Sequence, residues 1–167
     1  MEQALTRITH RLIRIVVISF AITPIVGYSL SIYLGLLDAD QFLQSAAIPL
    51  GIAYLGLLAG LVIHLRRYTK PFIAWLGDAK QLNTPLPTRL TEQLAAFTNN
   101  YWAFFLLYVL LMPTLQHWLG VNSPGLVGTA SLVQFMLLQL IIATLVGMPG
   151  YLMSLNMLGQ LIRYTGL

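Results

Sequence analysis

Six polar side chains fall where a chain this apolar offers them no water: Thr23, Tyr28, Tyr54, Tyr108, Gln139 and Thr144. Each lies near the middle of a long hydrophobic run, a depth at which tyrosine is less expected than at a membrane interface. Their hydroxyl and amide groups need partners in one another or in backbone carbonyls, because hydrocarbon supplies none. Such a set either hydrogen-bonds helices together or lines a pocket for a small amphipathic or lipid-like ligand. Three histidines raise metal or haem chemistry, but a pair of axial ligands must share a depth. His117 is at the outer end of its run, which leaves His10 and His64, at or beyond the inner end, as the pair able to meet. Neither sits in a ligand motif, so histidines facing water or headgroups are the simpler expectation, and no cofactor is assigned.

Other chemistry is missing. All five carboxylates, Glu2, Asp38, Asp40, Asp78 and Glu92, lie outside the apolar runs, which disfavours a proton relay or ion-coupled export. The chain has no cysteine, no G-x-S-x-G elbow, no His-Glu-x-x-His pair and no phosphate-binding glycine loop. The expectation is a protein without a catalytic site of its own.

The elements that position these residues follow from composition. With 57% hydrophobic and 8% charged residues over 167 positions, the chain cannot cover a water-facing surface. Its formal charge of +4 matters through where the charges sit, and nucleic acid is a poor partner for such a chain. Four apolar runs are each long enough to cross about 30 Å of hydrocarbon: Leu12 to Leu37, about Phe42 to His64, roughly Tyr101 to Leu119, and Leu126–Ser131 to about Leu158. The first run is too long for a secretory signal peptide and lacks a convincing cleavage site. Asp38-Ala39-Asp40 and Gly120 to Gly125 turn the chain between paired runs.

Charge sets the orientation. Of nine Lys and Arg, Arg7, Arg11 and Arg14 precede or open the first run, and Arg66, Arg67, Lys70, Lys80 and Arg89 fall between the second and third. Arg163 follows the fourth, and the two opposite loops carry none. The positive-inside rule then places both termini and the central segment in the cytoplasm. The expected fold is an all-α integral membrane protein of four transmembrane helices in two hairpins. It forms a single membrane domain, with hairpin 1 over about 11–65, a linker over about 66–98 and hairpin 2 over about 99–160. In the linker, Thr69 then Pro71 reads as a helix start, giving a short interfacial helix with Trp75 at the headgroups. Asn83 to Pro87 turns the chain, and the third helix begins near Thr88.

Each run carries one proline, Pro24, Pro49, Pro113 or Pro149, which removes a backbone donor and predicts a kink or a locally loosened turn. Thr23 and Thr114 stand beside two of them as candidates to satisfy a freed carbonyl. Gly56-Leu-Leu-Ala-Gly60 matches GxxxG, a pattern that admits another backbone closely, from a second copy or from within the monomer. Arg67-Tyr68-Thr69 and Arg163-Tyr164-Thr165, each with a proline and glycine upstream, hint at a parallel duplication.

The four-run layout, the fourth run leading inward, and Arg67-Tyr-Thr-Lys-Pro-Phe-Ile-Ala-Trp-Leu76 after the second run together resemble the N-terminal membrane regions of bacterial receptor-type signalling proteins. These are the multipass sensor histidine kinases and membrane-anchored nucleotide cyclases. The resemblance covers most of the chain in layout and about ten residues in motif. It implies a bacterial inner-membrane sensor or anchor that dimerises and drives a cytoplasmic output domain outside this chain, and it carries over no functional residue. The alternatives are a small membrane subunit binding haem, quinone or lipid, and a small transporter or oligomeric channel.

Overall fold

The computed structural model describes residues 2–82, 87–120 and 129–165, and among them every extended element is helical. Helix α1 spans Glu2–Tyr33. A short turn, α2 (Ala39–Gln41), and a π-helical stretch, Phe42–Ala46, lead into α3 (Ala47–Leu82). Helices α4 (Pro87–Trp118) and α5 (Thr129–Thr165) complete the chain. Among the described residues four segments are long and apolar enough to cross a membrane, namely Arg7–Tyr33, Ala39–Thr69, Leu94–Trp118 and Leu132–Gln160.

Local chemistry accounts for the helix ends. Gly35, at φ 69°, ends α1 with the Gly35 amide donating to Ile32 and the Leu36 amide to Ser31, a left-handed cap open to glycine without strain. Gly120, at φ 75°, closes α4 through a bond to His117. The Asp38 carboxylate accepts the Gln41 amide 2.9 Å away and so starts the next helical segment. The rest of the Gly120–Gly125 turn and the Asn83–Leu86 part of the linker turn lie outside the described residues.

The linker differs from expectation. Pro71 does not begin a helix: α3 runs unbroken through it to Leu82. The Thr69 hydroxyl, expected to cap a helix start, instead donates to the Leu65 carbonyl one turn back. Thirty-six residues at 1.5 Å make α3 about 54 Å long, well beyond one hydrocarbon thickness. The placement of the Trp75 side chain lies outside what is described. Pro49 stands within the continuous helical run Ala39–Thr69, next to a locally widened turn. It is the third residue of α3, directly behind the π-helical stretch, where the widened turn already loosens the ladder. Pro24, Pro113 and Pro149 lie inside α1, α4 and α5.

In the bundle α1 packs most extensively on α5, while α5 also meets α4, α4 meets α3, and α3 meets α1. Helices α1 and α4 therefore stand at opposite corners. Across that diagonal the fully buried Phe20 sets its ring edge-on to Phe105 and Tyr108, at centroid distances of 5.3 and 6.2 Å. The Ala39–Thr69 segment is the least covered of the four, with 17% of its apolar window buried against 28–33% for the others, so α3 has the most open face.

Candidate functional site

Pro24 is the origin of the central arrangement. Having no N–H, it leaves the Phe20 carbonyl, one turn earlier in α1, without its helical donor. The Tyr54 hydroxyl of α3 donates to that oxygen. Its ring stacks on Phe20 at 5.4 Å and 15°, so one side chain both satisfies the backbone break and packs on the residue that carries it. Thr23, expected to serve the break, donates instead to the Ser19 carbonyl at 2.9 Å. The same offset holds in α4, where the Thr114 hydroxyl bonds Leu110. A Ser/Thr hydroxyl that bonds four residues back reaches its own i−4 carbonyl, not that of the adjacent proline.

From Tyr54 the contacts continue round the bundle. Its ring stands at 80° to that of Tyr108 on α4, 6.1 Å away. The Tyr108 hydroxyl donates to Gln139 Oε1 on α5 at 2.7 Å, and Gln139 Nε2 donates to Ser31 Oγ at 3.3 Å. Ser31 Oγ in turn donates to the Gly27 carbonyl at 2.6 Å, back on α1. This closed circuit touches all four long helices, and Tyr108, Gln139 and Ser31 are fully buried. Gly27 is required for it: a Cβ there would overlap Gln139 Oε1. Of the six polar residues singled out in the sequence, Tyr54, Tyr108 and Gln139 join the circuit and Thr23 lies one helical turn before Gly27. Tyr28 packs between Phe42 and Phe135, and its buried hydroxyl makes no hydrogen bond.

Thr144 is elsewhere. It is exposed, bonds the Leu140 carbonyl, and lines a separate groove of about 450 Å³ between α4 and α5. That groove is walled by Trp102, Phe105, Leu106, Val109 and Leu140, with Thr98 and Asn99 among its few polar residues.

A second polar layer binds α4 to α5. The Tyr101 hydroxyl donates to the Gly147 carbonyl at 2.7 Å and the Thr98 and Tyr151 hydroxyls share a 2.8 Å bond, while within α5 Ser154 Oγ donates to the Gly150 carbonyl at 2.7 Å. Glycine again makes room. A Cβ on Gly147 would come 3.1 Å from Phe105 and 3.3 Å from Trp102, and one on Gly150 would collide with Ser19. Of the two layers, the sequence singled out Tyr54, Tyr108 and Gln139 in the first and no bonding residue of the second. Two signals pointed to them: the carbonyl four residues before Pro24, and the small-residue spacings Gly27-x-x-x-Ser31 and Gly147-x-x-Gly150.

The GxxxG pair makes no comparable approach. Gly56 has nothing within 4 Å of a built Cβ, and Gly60 meets only Phe104 at 3.9 Å. His10 is exposed on α1. His64 is half-buried on α3, its ring tilted over Phe104 at 5.6 Å, and its Nε2 is buried without a hydrogen bond. Among the described residues no three His, Cys, Asp or Glu side chains gather as a metal site. Neither a family model, nor a curated protein, nor a solved structure matches this chain.

Proposed function

We propose that this chain is a membrane-embedded sensory or anchoring module that dimerises and transmits changes in helix packing to a cytoplasmic signalling domain. The observation that carries this reading is the closed circuit Phe20–Tyr54–Tyr108–Gln139–Ser31, which links four helices through buried bonds and ring contacts. Packed interiors respond to a local shift by moving between discrete arrangements, so a bias on one helix is felt by the other three. The lengths of α3 and α5, 36 and 37 residues, support transmission because each continues beyond one hydrocarbon thickness. The open face of α3 around Gly56, with Ile48, Ile52 and Ile63 exposed, supports contact with a second copy. Basic residues clustered at one end of the spans support cytoplasmic termini, and the resemblance carried by Arg67 to Leu76 supports a bacterial inner-membrane location.

The test is a dimerisation-dependent reporter fused after Leu167. Gly56→Ile should change its signal, and cysteine at Ile52 or Gly56 in this cysteine-free chain should give an oxidised dimer in native membranes. An unchanged reporter together with monomers at every oxidant level would refute the proposal. The haem-binding alternative is favoured by one observation, the unbonded Nε2 of His64. A visible spectrum with a haem band that disappears on His64→Ala would select it.

A further inference from the structure

We propose that the α4–α5 groove is a built site for one acyl chain of a bilayer phospholipid. This rests on the four helices spanning the membrane and not on the sensory reading, so the two fail separately. Chemistry of the lining comes first. Among the described residues no charged one lines the groove; its walls are aromatic and aliphatic, and hydrogen-bonding groups are few, with Thr98 and Asn99 together at one end. That is the pattern of a site for an amphiphile held along its tail and met by neutral polar groups at its head.

Depth supplies the second argument. Thr98 and Asn99 lie near the start of the Leu94–Trp118 segment, and Val109 lies past its middle. The eleven steps from Thr98 to Val109 rise about 16 Å, close to half of a roughly 30 Å hydrocarbon core. The groove thus runs from one edge of the apolar layer to its midplane, the span of a single leaflet. An ester carbonyl, which sits at that edge in a phospholipid, falls level with the Asn99 amide. A volume of about 450 Å³ is ordinary for a small-molecule site.

Glycine fixes the floor. Because Gly147 has no side chain, Phe105 and Trp102 settle against α5, and the Tyr101 bond to the Gly147 carbonyl holds the two helices at that separation. The exposed Leu106, Leu140 and Thr144 leave the side of the groove open, so a chain enters laterally from the bilayer.

The experiment reconstitutes the full chain in nanodiscs of palmitoyl-oleoyl phosphatidylcholine and measures lipid retained on the released protein by native mass spectrometry. The wild type should keep one phospholipid. Ala103→Phe and Leu106→Trp, both at exposed positions that line the groove, should cut that adduct about tenfold, as losing contact with two methylene groups would. Asn99→Leu, which leaves the walls intact, should weaken it less. Ile52→Phe on the open face of α3 should have no effect. Equal adducts in all four variants, or loss of the adduct equally from Ile52→Phe, would overturn the site. Retention of a free fatty acid from doped discs in place of the phospholipid would overturn the assignment of its source. Circular dichroism identifies any unfolded variant, and Asn99→Leu keeps the test decisive if a groove-filling variant misfolds.

Discussion

Alanine in place of Gly27 should loosen the bundle, although alanine is the better helix former by about 1 kcal/mol. The added Cβ would overlap Gln139 Oε1 and stand 3.0 Å from Cδ and 3.1 Å from Nε2, inside the roughly 3.5 Å at which such contacts become favourable. Gln139 is not free to swing aside, since Tyr108 donates to its Oε1 and its Nε2 donates to Ser31. Overpacking costs about 1–3 kcal/mol, and two interhelical bonds about 0.6 kcal/mol each. Set against the gain in helix propensity, the net loss is roughly 2 kcal/mol. Reversible unfolding in mixed micelles, followed by circular dichroism as the denaturing detergent is raised, measures it. The diagnostic variant is Gly27→Ala combined with Gln139→Ala. With the amide gone the overlap disappears, so the pair should be at least as stable as Gln139→Ala alone, a coupling of roughly −2 to −3 kcal/mol. Additive effects, or a neutral Gly27→Ala, would refute the packing argument.

Tyr54→Phe should cost about 1–3 kcal/mol by orphaning the Phe20 carbonyl. In a Pro24→Ala background, where the restored amide can serve that carbonyl, the same micelle assay should record a smaller loss. Gly150→Ala, whose Cβ meets Ser19 and lies 3.0 Å from the Tyr101 hydroxyl, should destabilise by about 1–3 kcal/mol, whereas Gly159→Ala, with open space around it, should be neutral or slightly stabilising. For orientation, single cysteines replacing Lys80 and Asp40 should react with an impermeant maleimide from opposite sides of intact cells, Asp40→Cys from outside; labelling of Lys80→Cys from outside would reverse the topology.

The four long apolar helices were legible because uninterrupted hydrophobic runs of such length favour helix, and α4 begins at Pro87, one residue from where periodicity placed it. The linker was misread at Pro71 for an equally local reason. A proline after threonine has the pattern of a helix start, yet a long helix can carry proline through its interior at the cost of one donor. At the centre, the sequence named Tyr54, Tyr108 and Gln139 but not how they pair, since a polar side chain states only that it needs a partner. Phe20 takes part through a carbonyl, and Gly27 through the room it leaves; neither role is written in a side chain. The GxxxG match was visible and yet Gly56 meets nothing, whereas Gly27, Gly147 and Gly150 make the close approaches. Spacing alone cannot tell which face of a helix its neighbours will choose.

The uninterrupted passage of α3 through Pro71 has a mechanical consequence. Tyr54 pins this helix to α1, and 28 residues, about 42 Å, separate that fulcrum from Leu82. Swinging the helix by about 5° around Tyr54 would carry its far tip through about 4 Å, a gearing that turns a sub-ångström slip beside a ring into a stroke the size of a side chain.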